Sequence, residues 1–159
     1  MSTKIGKRSK MNRKGDELYS AILEQVTRTM LGTGSTSMSQ LSSVGDELLG
    51  KRFQGVFASD QIPVLKRPGY AIVNTDPWGS PGEHWIAIAR GKTGNTWVYD
   101  SFGRPTDRVL KSMLKSGNGD IQDTERDSEQ LVREEDCGAR SMAWLLVFDR
   151  FGAKKAAQV

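Results

Sequence analysis

The run His84-Trp85-Ile86-Ala87-Ile88-Ala89, then the turn Gly91-Lys92-Thr93-Gly94, then Asn95-Thr96-Trp97-Val98-Tyr99-Asp100, constrains this chain more than any other stretch. Two β-prone segments joined by a short Gly-containing connection read as a hairpin. The near-continuous apolar character of the first is that of a strand covered on both faces. Such a sheet needs layers above and below it. The expected fold is therefore α+β, a small central mixed sheet with surrounding helices. Further strands are predicted over 52–58 and 70–74, bounded by Gly, Pro and Asn.

Helical periodicity supplies the layers. Leu18, Ile22, Val26 and Met30 recur every fourth residue, widened by Tyr19 and Leu23, and predict a helix over 16–30. A Gly/Ser/Thr-rich linker follows, then a short helix capped by Ser37 and carrying Met38, Leu41 and Val44. A third helix is expected over 106–116, capped by Thr106, and a buried one from Cys137 to about residue 150. The organisation expected is a disordered basic arm (1–14), a helix and linker readable as a propeptide (15–36), a main domain (37–152) and a tail (153–159).

Charge belongs to the arm. Lys4, Lys7, Arg8, Lys10, Arg13 and Lys14 face no acid within 1–14, and the remaining 17 basic and 19 acidic side chains leave −2. Such an arm suits nonspecific, salt-sensitive contact with DNA. Eight acids lie between Asp120 and Asp136, just before Cys137. With one cysteine there is no intrachain disulfide, which fits a reducing compartment. With one histidine beside it, the usual four-ligand zinc sets cannot be assembled, so no metal is expected. No apolar run is long enough to span a membrane.

Those two single residues carry the chemistry. Cys137 opens the last helix, where unpaired N–H groups and the helix dipole favour an anion. His84 and Asp100 stand at the outer ends of the hairpin strands, where pairing brings them side by side. The carboxylate can then hold one imidazole nitrogen and leave the other for the sulfur. Gln130 can donate an amide N–H to an oxyanion. Gly138 leaves the backbone open beside the sulfur, Trp85 is placed to pack over the imidazole, and Trp78 to line the cleft. Taken singly, Cys137 reads as an inert buried thiol and His84 as a structural histidine. In this order and these contexts they read as a cysteine peptidase.

The motifs resemble the adenovirus-type cysteine proteases, the adenains, in the wider group that includes the SUMO-deconjugating proteases. A-I-V-N-T at 71–75 followed by G-E-H-W-I-A-I-A at 82–89 is similar to the adenain stretch leading into its catalytic histidine. K-R-F-Q-G-V-F at 51–57, V-Y-D-S-F-G at 98–103, the spacing of Gln130 to Cys137, and C-G before an apolar helix extend the likeness over about residues 50–150. The resemblance implies His84 as general base, Asp100 as its orienting acid, Gln130 as oxyanion donor and Cys137 as nucleophile, in a papain-like arrangement. Asp100 stands where adenovirus members carry Glu.

The implied function is cleavage of viral precursor polypeptides during particle maturation, in the virion and host nucleus or cytoplasm, by a monomer that needs no cofactor. Adenovirus members respond to DNA and to a peptide joined through a second cysteine. This chain lacks that cysteine, which leaves only DNA or a noncovalent peptide as an activator. Met30-Leu31-Gly32-Thr33-Gly34 resembles the family's cleavage sites, which suggests a self-cut between Thr33 and Gly34. Two other functions fit the same residues: deconjugation of a ubiquitin-like modifier, and a non-catalytic, DNA-associated virion protein.

Overall fold

Helix α1 spans Arg13–Val26 and continues as a wider π-helical turn, Thr27–Leu31, into Gly32 at φ 70°. The hydroxyls of Thr27 and Thr29 donate back to the carbonyls of Leu23 (2.9 Å) and Gln25 (2.7 Å). Such back-bonding competes with the backbone ladder where the helix widens. The computed structural model describes residues 13–75, 84–104, 110, 117–124 and 135–159. Arg13 and Lys14, read from sequence as arm, thus belong to the first turn of α1. The helix expected over 106–116 lies outside the described residues except for Leu110, which is buried. Lys4, Lys7, Arg8, Lys10, Trp78 and Gln130 also lie outside them.

Helix α2, Met38–Leu49, starts where Ser37 predicted. The Gln40 N–H donates to the Ser37 hydroxyl (3.1 Å) and the Ser37 N–H donates to the Gln40 side chain (2.8 Å), a reciprocal cap. Gly45 lets this helix lie on the Phe53 ring, which any Cβ there would overlap. A single 3₁₀ turn, Gly50–Arg52, leads into the sheet.

The sheet has five strands in sequential order: β1 Phe53–Phe57, β2 Gly69–Asn74, β3 Trp85–Arg90, β4 Thr96–Tyr99 and β5 Ile121–Asp123. β1 runs parallel to β2, β5 parallel to β4, and the central pairs are antiparallel. The fold is α+β with a mixed sheet, as expected. In the central register Ile72 pairs with Ala87, and Ala87 with Tyr99. Alternation then sends Tyr70, Ile72, Ala87, Ala89 and Tyr99 to one face. Ala71, Val73, Ile86, Ile88 and Val98 go to the other, under Ile62, Leu65 and Leu110. Both faces of β3 are therefore covered.

Helix α3, Cys137–Phe151, fills the first face with residues buried almost all round. Trp144 at its centre stacks on Tyr99 (5.5 Å between ring centroids, 6° between planes). Its indole N–H donates to the Ala156 carbonyl (2.9 Å), in a short helix α4, Ala153–Ala156. Residues 153–159 are thus a packed cover over Trp144, ending in a fully buried Val159. Against α3 lies α1, which puts Tyr19, Val26 and Leu31 into the same core.

Candidate active site

Hairpin geometry does most of the assembly. His84 immediately precedes β3 and Asp100 immediately follows β4, so antiparallel pairing places them at one end of the sheet. The His84 Nε2 lies 2.7 Å from Asp100 Oδ1, with both residues almost fully buried. Oδ1 also accepts from the Phe102 N–H (2.9 Å), and Oδ2 accepts from Arg104 Nε (2.7 Å). Burial pushes the Asp100 carboxyl up, but the hydrogen bond and charge of His84, with Phe102 and Arg104, outweigh it and hold the group below its ordinary value.

Cys137 is supplied by α3, whose N-terminus meets the start of β3. Its sulfur accepts from the Trp85 N–H at 3.4 Å, and Ser141, one turn along the helix, donates to the Trp85 carbonyl at 3.2 Å. The helix thereby clasps the residue next to His84. The sulfur is also close enough to act on the imidazole, and is one of the groups that favour its charged form. With Nε2 engaged by Asp100, Nδ1 is the nitrogen left for it. Burial pushes His84 down; the hydrogen bonds and charges of Asp100 and Cys137 outweigh that and raise it above its ordinary value. Sulfur, imidazole and carboxylate form one connected line.

Several neighbours were not foreseen. Phe102, rather than Trp85, stacks on the imidazole, at 4.4 Å between centroids and 23° between planes. Arg104 lies over the Phe102 ring, 5.4 Å from its centroid, so the residue that grips Asp100 also touches the ring stacked on His84. Trp85 instead donates its indole N–H to the Thr36 carbonyl (3.2 Å). Asp136, the acid next to Cys137, is buried and paired with Arg140 Nε at 3.0 Å. The sequence signals were present in hindsight: Asp100/Arg104 and Asp136/Arg140 are both i, i+4 pairs. Nothing in the sequence pointed to Thr36.

Gly138 has a packing reason in the structure. A Cβ there would overlap Thr36 Oγ1 and come within 3.2 Å of Leu41 Cδ2. Replacing it by alanine is expected to destabilise the chain by about 1–3 kcal/mol through overpacking, partly offset by better helix propensity. Thermal denaturation of Gly138→Ala checks this; unchanged stability would mean that Thr36 yields freely.

Thr33 and Gly34, together with Gly32 and Ser35, are exposed, and a Cβ at Gly34 would meet nothing. Ser35 donates to Glu135 (3.1 Å), two residues before Cys137, so this loop runs beside the start of α3. Lys14 is exposed.

No family model matches the chain. Over 89 residues it is 38% identical to a curated protein of avian adenovirus 8 (strain ATCC A-2A) named Protease, a match covering 54% of this chain and 42% of that relative. The chain is similar to an adenovirus protease. The likeness read from its motifs therefore holds for the adenovirus-type proteases, while the chain spans less than half the length of this relative. Among the described residues no group of His, Cys, Asp or Glu could hold a metal ion, and no helix is long and apolar enough to cross a membrane.

Proposed function

We propose that the chain is a viral cysteine endopeptidase that cleaves precursor polypeptides at glycine-containing sites during particle maturation. The observation that carries this is the line from the Cys137 sulfur through His84 to Asp100, in a chain similar to an adenovirus protease. A bland structural histidine has no need of a thiol on one nitrogen and a buried carboxylate on the other.

In this reading His84 takes the thiol proton, and the thiolate attacks the scissile carbonyl carbon. The tetrahedral oxyanion is met by the Cys137 backbone N–H and the Gln130 amide. The imidazolium then protonates the leaving amine, giving a thioester and a free N-terminus. Water, deprotonated by His84, hydrolyses the thioester and restores the thiol. Asp100 keeps the ring oriented and stabilises its charged form. The proposed chemistry draws on groups of this chain and on water, with no resident cofactor. The basic residues Lys4, Lys7, Arg8, Lys10, Arg13 and Lys14 would attach the enzyme to DNA in the virion or host nucleus, through counterion release. DNA or a noncovalent peptide would raise its activity.

The Thr33–Gly34 bond is the proposed self-cleavage site. Freeing α1 afterwards would strip Tyr19, Val26 and Leu31 from the core. Each such apolar side chain contributes about 1.5–3 kcal/mol. The cut chain is therefore expected to stay whole, with fragment 1–33 eluting together with 34–159 until denatured. The test incubates the purified chain with a peptide of the 30–34 sequence and follows products by mass spectrometry. Cleavage before the last glycine, abolished by iodoacetamide and indifferent to a metal chelator, is the expected result. An intact peptide beside a protein whose Cys137 alkylates readily would overturn the proposal.

A further inference from the structure

The α1 helix reaches the candidate active site through one side chain. Tyr19, buried at 3% exposure, shares a 2.7 Å hydrogen bond with the hydroxyl of Tyr99, the residue before Asp100. The two rings pack edge to face at 5.8 Å, and Tyr99 is held from its other side by Trp144. The Tyr19 hydroxyl is also close enough to Arg140 to favour its charged form. Burial works against the Arg140 charge, and Tyr19 with Asp136 more than restores it. Arg140 in turn binds Asp136, whose carboxylate stands next to Cys137 at the mouth of α3.

That carboxylate sits badly for the chemistry unless it is answered. A buried negative charge one residue from the sulfur opposes a thiolate, and at this helix N-terminus it makes no side-chain cap. Arg140 neutralises it, and Tyr19 fixes where Arg140 lies. The same hydroxyl anchors β4 just before the acid that holds His84. One oxygen from outside the sheet and α3 therefore binds the residue before Asp100 and acts on the partner of Asp136.

We propose that Tyr19 is a positioning residue for catalysis, its hydroxyl locking Tyr99 of β4 and the Arg140–Asp136 pair of α3 in register. The α1 helix is then a working part of the enzyme rather than a discarded leader. The proposal rests on the proteolytic reading for its activity test, so a second readout is independent of it.

The experiment compares full-length wild type with Tyr19→Phe and Tyr99→Phe, which keep both rings. Steady-state cleavage of the 30–34 peptide, the rate of Cys137 alkylation by iodoacetamide across pH 6–9, and thermal unfolding are measured on each. Expected for Tyr19→Phe is a folded protein with kcat lowered about tenfold and KM within about twofold, the loss of a hydrogen bond to a charged group. The alkylation profile is expected to move to higher pH, because an Asp136 less firmly held by Arg140 disfavours the thiolate against the support of His84 and the helix terminus. Tyr99→Phe, which keeps the Arg140 contact, should lower kcat with a smaller displacement of that profile. Unchanged kcat and an unchanged alkylation profile in a folded Tyr19→Phe would overturn the proposal while leaving the protease reading intact. A displaced profile in a chain that cleaves nothing would uphold Tyr19 and sink the protease reading.

Discussion

Cys137→Ala and His84→Ala are each expected to lower turnover of a glycine-containing peptide by a factor on the order of 10⁶, and the double variant to be little worse. In the proposed mechanism sulfur and imidazole act as one unit at the mouth of α3. Without the sulfur no thioester forms; without the ring no base takes the thiol proton. The structural costs differ. Alanine at 137 removes an acceptor from the Trp85 N–H, which is 3.4 Å from the sulfur, for about 1–3 kcal/mol. Alanine at 84 leaves the buried Asp100 carboxylate with Phe102 and Arg104 as remaining donors. Circular dichroism on both variants separates folding from chemistry. Folded Cys137→Ala retaining more than about a hundredth of wild-type turnover would end the nucleophile assignment.

Much of the fold was legible because its signals are local. The hairpin of β3 and β4 was marked by apolar strands around a Gly-containing turn, whose Gly91 N–H donates to the Asn95 carbonyl at 2.9 Å. Ser37 announced α2 because a cap is a single side chain with a single job. β5 went unseen, since its three residues carry no alternation and it exists only by pairing with β4. Residues 153–159 read as a tail because nothing in their sequence says that Trp144 needs a hydrogen-bond acceptor.

The site divides in the same way. His84 and Asp100 could be paired on paper, because strand register converts sequence distance into spatial distance. Cys137 could be placed at a helix start but not against His84, because that contact depends on how α3 lies on the sheet. Phe102 took the stacking position expected of Trp85, since the turn after β4 folds back over the imidazole. Tyr19 and Thr36 are read only from packing: one looked like a helix stripe, the other like linker.

Asp100→Asn is expected to lower turnover by about 10²–10⁴, less than loss of Cys137 or His84, because the carboxylate orients and stabilises without reacting. The amide is a poor substitute here. Asp100 accepts from three donors, His84, Phe102 and Arg104, whereas an amide must turn its NH₂ toward one of them. That conflict should destabilise the fold by about 1.5–3 kcal/mol. The pH dependence gives a sharper signature. In the wild type His84 is raised above its ordinary 6.5, so the folded state binds its proton more tightly than the unfolded chain. This contribution is complete below pH 6.5 and is lost as pH rises through the raised value. Asp100, lowered from 3.8, contributes above pH 3.8 and fails as pH falls through its own lowered value. The pair therefore supports the fold most between pH 3.8 and 6.5. Asparagine removes the Asp100 share of what raises His84, leaving Cys137 alone against burial, the largest influence on that ring, which pushes it down. The fall in stability from about pH 6 to 8 should then be shallower than in the wild type. Urea unfolding of both proteins at intervals across that range measures the slope. Parallel curves would show that the imidazole does not hold its proton through Asp100, and the orienting role assigned to that carboxylate would go with it.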